Sequence, residues 1–327
     1  MGKIKVAIIG INGISHAQQV IKSIRKQKDI FELAGYNIPE GAEKRFPEVA
    51  ALFDGIKELS LEEILENPEI EAVVIETEEI YLTKYATLAA KHNKHIHMEK
   101  PGGVELCEFE ALVRLMQENK KTFHIGYMYR YNPCVIELMD RVKNGELGKI
   151  ISVEAQMNTR HTADNRQWLE TFPGGIMFFL GCHLIDLILQ FQGEPLNVIP
   201  LNRTTGIEGV TADDFGMAVF EYENGVSFAK VNAAEVGGFL RRQLTVSGEL
   251  GTVELKPFEV IANDGMQLTT VTDYGQKSAQ SVDSVLYDRY DTMISSFAKM
   301  VRKEMENPWS KEYELTLYKY VLKACGL

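Results

Sequence analysis

The stretch KVAIIGINGIS, residues 5–15, constrains this chain more than any other. KVAIIG (5–10) is an apolar run of the kind a strand carries when both of its faces are covered, as in a parallel sheet. Gly10 opens a turn. ISHAQQVIKSIRKQ then places Ile14, Ala17, Val20, Ile21 and Ile24 at helical spacing. The order strand, glycine turn, helix is the start of a βαβ unit, and the alternation continues. FELAGY (31–36), IEAVVIET (70–77), KHIHME (94–99) and TFHIGY (122–127) read as strands, with helices over 80–92 and 103–119. A further helix starts at Ser60, where Glu63 completes a capping box. This predicts a doubly wound parallel sheet, a Rossmann domain, over residues 1–126.

Beyond a helix at about 133–144 the period changes from 3.6 to 2. KIISVEAQMNTR, DFGMAVFEYENGVSFAKVNAAE, RRQLTVSGELGTVELK and MQLTTVT read as strands joined by turns such as ENG and GELG. Helices are expected at 175–191, 287–306 and 310–324. Residues 127–327 are therefore expected to form an α+β domain on a largely antiparallel open sheet, so that the whole is an α/β protein of two domains.

With 46 acidic against 35 basic residues the net charge is -11, and no Lys/Arg run occurs. That argues against nucleic acid or an anionic membrane as partner. No apolar run approaches the roughly 18 residues that span a bilayer. Cys107, Cys134, Cys182 and Cys325 are scattered without CxxC spacing, which fits a reduced, cytoplasmic setting.

In GINGIS (10–15) the dinucleotide fingerprint would put glycine at 10, 12 and 15. Gly10 is kept, Asn12 and Ser15 replace the others, and Gly13 is extra. The turn at Gly10, Asn12, Gly13 and Ile14 is a candidate phosphate cradle ahead of a helix N-terminus. Asn12 tolerates a left-handed backbone, yet its side chain could crowd a pyrophosphate. Asn37 ends the second strand, where an acid or a nearby Arg normally selects between NAD and NADP. It repels neither, and the missing cation there leans to NAD. In HMEKP (97–101) Lys100 stands at a strand's C-terminal end, able to polarise a hydroxyl; the bland alternative is a loop lysine paired with Glu99. His92, His95 and His97 have no carboxylate or cysteine at ligand spacing, so exposed turn and strand histidines are expected rather than a metal site. In GGIMFFLGCHLID (174–186), His183 is a core histidine or an acid/base.

Together these segments resemble the Gfo/Idh/MocA oxidoreductases. The likeness runs nearly end to end through KVAIIGINGISH, EKP at 99–101, YRYNP at 129–133, NGELGKIISV at 144–153, PGGIMFFLGCHLIDLILQFQGEP at 173–195 and LTVSGELGTVEL at 244–255. It implies NAD(P)-linked oxidation of a sugar, polyol or cyclitol hydroxyl by a homodimer or homotetramer. Lys100 would bind the reacting oxygen, and His183 would move the hydroxyl proton. Glu99 is expected near the nicotinamide ribose and Trp168 near the nicotinamide end. Thr77 and Glu78 occupy the cofactor-binding strand end, and Tyr127, Tyr129, Arg160 and His161 are candidates for substrate contact.

The chain departs from the family at two places. Phe179 stands where many members carry an aspartate, four residues before the histidine; Asp186 belongs to the common HLIDL and is expected to be structural. The usual TPN after the fourth strand is absent, and Thr77 is followed by Glu78 and Glu79, either of which could supply the missing carboxylate. Two other readings stay open: an NAD-dependent glycosidase-like or epimerase-like reaction, and a nucleotide-binding or regulatory homologue without net oxidation.

Overall fold

The computed structural model describes residues 2–262 and 265–327. They divide into two compact units, Met1–Tyr127 with Tyr290–Tyr318, and Met128–Arg289 with Lys319–Leu327.

The first unit holds a five-stranded sheet of β1 (Ile4–Ile9), β2 (Phe31–Asn37), β3 (Ala72–Ile75), β4 (His95–Met98) and β5 (Phe123–Ile125), in the order β2-β1-β3-β4-β5. Every pairing is parallel. All residues of β3 and all but Lys5 of β1 are buried, the condition that the apolar runs predicted. Helices Ala17–Lys26, Leu82–Lys91 and Leu106–Asn119 connect the strands. The capping box on Leu61–Glu66 is formed: Ser60 Oγ accepts from the Glu63 amide, and Glu63 accepts from the Ser60 amide. All C-terminal strand ends share one edge, so Gly10, Glu76 and Glu99 each follow a strand directly.

The expected contiguous second domain, 127–327, divides the chain differently from these units, which put Tyr127 and Tyr290–Tyr318 in the first. Helix Asp291–Val301 explains why. Its apolar stripe is buried, with the Phe297 ring centroid 5.7 Å from those of His97 and His124. Ser23 donates to Asp291 at 2.7 Å. Periodicity announces such a helix without saying which sheet its stripe will cover.

The second unit holds an eight-stranded sheet. It is built from β6 (Ile150–Asn158), β7 (Asn197–Pro200), β8 (Phe215–Tyr222), β9 (Gly225–Asn232), β10 (Gln243–Gly248), β11 (Thr252–Leu255), β14 (Thr270–Tyr274) and β15 (Ala279–Asp283). The order is β15-β14-β11-β10-β6-β9-β8-β7, antiparallel except where β6 meets β9. A two-stranded ribbon of β12 (Val260–Ile261) and β13 (Gln267–Leu268) stands apart. Alternate residues of one face are buried, among them Ala218 and Phe220, Ala229 and Val231, Leu244 and Val246. Helix Cys182–Gln192, buried along most of its length, packs on β6 and β9. Among the described residues no helix is long and apolar enough to cross a membrane.

Candidate active site

In the first unit the site is built on strand ends. Gly10 has φ +87°, and a Cβ there would lie 2.3 Å from Thr77 Cγ2 and 2.8 Å from the Thr77 backbone. Only glycine lets β1 pass this close to the end of β3. The Asn12 side chain, which could have crowded a pyrophosphate, is turned to other partners. Its Oδ1 accepts from the Ile14 amide at 3.0 Å, and its Nδ2 donates to Glu79 Oε2 at 3.1 Å. Asn37 donates to the Leu59 carbonyl at 2.8 Å, which fixes its amide orientation, while its own backbone carbonyl receives the Gly10 amide. Helix Ala17–Lys26 has no acidic residue in its first turn. A glycine turn of this shape, with its asparagine folded back and no acidic residue in the first turn of the helix behind it, fits the phosphates of a dinucleotide.

Lys100 is fully buried, its Nζ 3.8 Å from Glu79 Oε1 and 3.5 Å from Glu99 Oε1. Glu99 also meets His16 Nδ1 at 3.3 Å. Burial pushes the Glu99 carboxyl up, but His16 and Lys100 outweigh it and hold it at about 2. Glu79 goes the other way: burial raises it to about 7 against the pull of Lys100. Glu78 is tied to Arg45 at 2.6 Å, which separates the two candidate carboxylates. Glu79 is the one at the lysine. The bland alternative for Lys100, an exposed loop lysine, is corrected by its burial.

Behind the lysine lies a second set of buried polar groups. Glu76 Oε1 is 3.7 Å from His97 Nε2, and His97 Nδ1 is 2.6 Å from His124 Nδ1. Burial, with the charges of Glu99 and Glu79, holds the Glu76 carboxyl well above its usual range, and burial brings His97 down to about 4. The expectation of exposed histidines thus holds for His92 but fails for His97, which β4 turns into the core. Among the described residues no group of three or more His, Cys, Asp or Glu is placed to hold a metal ion.

In the second unit the run 174–186 opens on Gly174 and Gly175, both at positive φ; a Cβ on Gly175 would lie 2.1 Å from the Asp213 carbonyl. The expected helix 175–191 is not uniform. Met177–Gly181 is a π-helical turn, and the α-helix begins at Cys182. Such turns recur at functional sites because they re-aim side chains. His183 is buried, its ring centroid 5.4 Å from that of Tyr129 in an edge-on arrangement. Phe179 lies edge-on to Trp168 at 5.2 Å and stacks with Phe172 at 6.1 Å. His161, 6.5 Å from Phe179, is lowered to about 4 by burial and by Arg242 and Arg166.

The second unit also ties several candidates into ion pairs. Tyr129 donates to Glu259 at 2.6 Å, and Glu259 pairs with Arg242 and Arg289. Arg160 is held by the Ala234 carbonyl and by Glu208, both at 2.9 Å. Asp186 binds Arg130 through two hydrogen bonds of 2.9 and 3.0 Å and accepts a third from Gln190. The structure thus brings Asn12, Glu99 and Lys100 together in the first unit, and Tyr129 and His183 in the second. Trp168 joins Phe179, Glu78 pairs with Arg45, and Arg160 pairs with Glu208.

Sequence reasoning did not single out Glu76, His16, His124 or Glu259. Glu76 carried a signal, being a carboxylate within a run otherwise destined for full burial.

Residues 4–127 match the oxidoreductase family with NAD-binding Rossmann fold, and residues 135–254 match the GFO/IDH/MocA C-terminal domain. The chain belongs to the Gfo/Idh/MocA oxidoreductase family. It is similar to the uncharacterized oxidoreductase ORF334 of Rhizobium meliloti, 25% identical over 264 residues, which covers 78% of this chain and 77% of that one. It is also similar to scyllo-inositol 2-dehydrogenase (NAD(+)) of Bacillus subtilis, 29% identical over 201 residues, covering 60% of this chain and 56% of that enzyme. Among solved structures, UDP-N-acetylglucosamine 3-dehydrogenase GnnA from Acidithiobacillus ferrooxidans shares the fold, with a TM-score of 0.78 at 19% identity over 99% of this chain and 97% of that one. This Gfo/Idh/MocA member therefore has an NAD(P)-binding Rossmann unit of the family's type.

Proposed function

We propose that this Gfo/Idh/MocA protein is a cytoplasmic NAD(P)-dependent dehydrogenase that oxidises a hydroxyl of a sugar, polyol or cyclitol. The carrying observation is Lys100: a fully buried ammonium set between two carboxylates at the strand ends, on the same sheet edge as the glycine turn. Bound NAD(P) supplies the hydride acceptor, held by Gly10, Asn12, Gly13, Ile14, Asn37, Thr77 and Glu99 in residues 1–126. Lys100 binds the substrate oxygen and stabilises negative charge on it as the carbon is oxidised. His183 moves the hydroxyl proton. Trp168 lies toward the nicotinamide, and Tyr129 and Arg160 toward the substrate, in a homodimer or homotetramer. NAD is favoured over NADP, since no cation directly follows Asn37. The scyllo-inositol relative supports a cyclitol as the first substrate to try.

Calorimetry with NADH and NADPH, followed by an inositol and sugar panel, tests this. Lys100→Ala should abolish turnover of whichever substrate is found; full activity in that variant would overturn the assignment. A second reading, nucleotide binding without net oxidation, rests on Phe179, whose aromatic neighbours leave no carboxylate in that place. Tight nucleotide binding with no turnover across the panel would favour it.

A further inference from the structure

Two departures from the family pattern lie far apart in the chain. Asn12 replaces the second glycine of the fingerprint, and Glu79 stands beyond Thr77 in place of the usual TPN. In the structure they meet, Asn12 Nδ2 donating to Glu79 Oε2 at 3.1 Å. The other carboxylate oxygen, Oε1, points at Lys100 Nζ across 3.8 Å and accepts no hydrogen bond among the described residues. The usual aspartate position holds Phe179, so the family's carboxylate is missing there.

We propose that Glu79 is the proton-exchanging partner of Lys100, taking over the role of the absent aspartate, and that Asn12 is the positioning residue that holds it. This rests on the dehydrogenase reading given above. A glycine at 12 carries no donor for Glu79, and a residue without a carboxylate at 79 leaves the Asn12 amide without its acceptor, so each departure accounts for the other.

The step balances without a further reactant. On this route, which replaces proton transfer to His183 in the reading above, the substrate proton passes to Lys100 Nζ as the O–H bond breaks, while an ammonium proton passes to Glu79 Oε1. Lys100 stays an ammonium and Glu79 becomes a carboxylic acid, while bound NAD(P) in its oxidised form would accept the carbinol hydrogen with the C–H electron pair as hydride. In the reducing direction Glu79 returns the proton by the same path.

Burial raises the Glu79 carboxyl, Lys100 pulls it down, Glu99 raises it, a backbone hydrogen bond lowers it and Glu78 raises it; Asn12 faces it as a hydrogen-bond donor and Glu76 as a neighbouring carboxylate. Their balance puts the carboxyl at about 7, suited to exchange near neutral pH. Glu99, held at about 2 beside His16, stays charged and cannot serve.

The test needs no substrate at first. The protein, without nucleotide, is labelled with 13C at lysine Cε and titrated by NMR, the Lys100 signal being assigned by its loss in Lys100→Arg. In the wild type this signal should step between about pH 6 and 8 as Glu79 titrates. In Glu79→Gln the step should vanish. In Asn12→Gly, which restores the family residue and covers the case where Glu79→Gln does not fold, the midpoint should rise by up to about one pH unit, since a donor to the charged form is lost. An unchanged Lys100 titration in either variant overturns the proposal.

With scyllo-inositol or another substrate from the panel, Glu79→Gln should lower kcat about 10²-fold or more, with KM within about threefold, and remove the acid limb of the kcat profile. Full turnover in Glu79→Gln would also refute it. Failure of the wild type to bind NADH or NADPH would instead remove the dehydrogenase reading, while the Lys100 titration would still decide the pairing.

Discussion

Asp186 lies three residues after His183, and two roles are open to it: orienting chemistry or holding the unit together. The structure favours the second, and one substitution separates them. Arg130 and Asp186 are each about 1% exposed and joined by two hydrogen bonds, with Gln190 adding a third. Asp186→Ala leaves the Arg130 guanidinium buried without its counter-charge. Removing one partner of a buried pair typically destabilises by about 3–5 kcal/mol. In a unit of this size each kcal/mol moves Tm by about 2–4 °C, so a fall of about 6–20 °C is expected. Near-UV circular dichroism melts at neutral pH would measure it. The double replacement Arg130→Met with Asp186→Leu, which removes both charges and keeps the volume apolar, should recover most of the loss. A single Asp186→Ala protein that melts within about 2 °C of the wild type while losing turnover would refute this reasoning and move Asp186 into the chemistry.

Two further outcomes follow from the geometry. Gly10→Ala places a side chain at φ +87° against Thr77, so about 1–3 kcal/mol of backbone strain adds to a direct clash; lower thermal stability and weakened NADH binding by calorimetry are expected. Glu259 should govern acid stability: burial alone would raise it, but Arg289 and Arg242 hold it at about 2 against 4.5 for the free group. A depressed carboxyl contributes stability above the unfolded value and loses it as pH falls toward the folded one. Urea melts should therefore show Glu259→Gln weaker than the wild type by up to about 3 kcal/mol at neutral pH, the gap closing between about pH 4.5 and 2.

Much of this was legible in the residues. The buried parallel strands announced themselves because full burial demands continuous apolar runs, and Ser60 with Glu63 marked a helix start that the structure forms. Edge strand β15 did not, since all its residues are exposed and burial writes no pattern into it. The helix at 291–301 was readable, but its partner was not, because an apolar stripe specifies a face and not the surface it will meet. At the site, Lys100 and Gly10 could be named from local motifs. The contact between Asn12 and Glu79 spans 67 positions and belongs to no local spacing, so only the folded chain could reveal it.

The π-helical turn at Met177–Gly181 has a consequence for how His183 is aimed. Each residue of an α-helix advances the side-chain direction by about 100°. A π turn takes up one residue more than a regular turn, so the helix after it keeps the facing it would have without that residue. Wound as a plain helix with the same residues, 177–181 would instead turn everything after it by about 100°. It would swing the imidazole away from Tyr129, with every side chain of the HLID segment still present in the sequence. The motif thus works as a phase as much as a composition: the histidine's usefulness depends on a count of residues ahead of it.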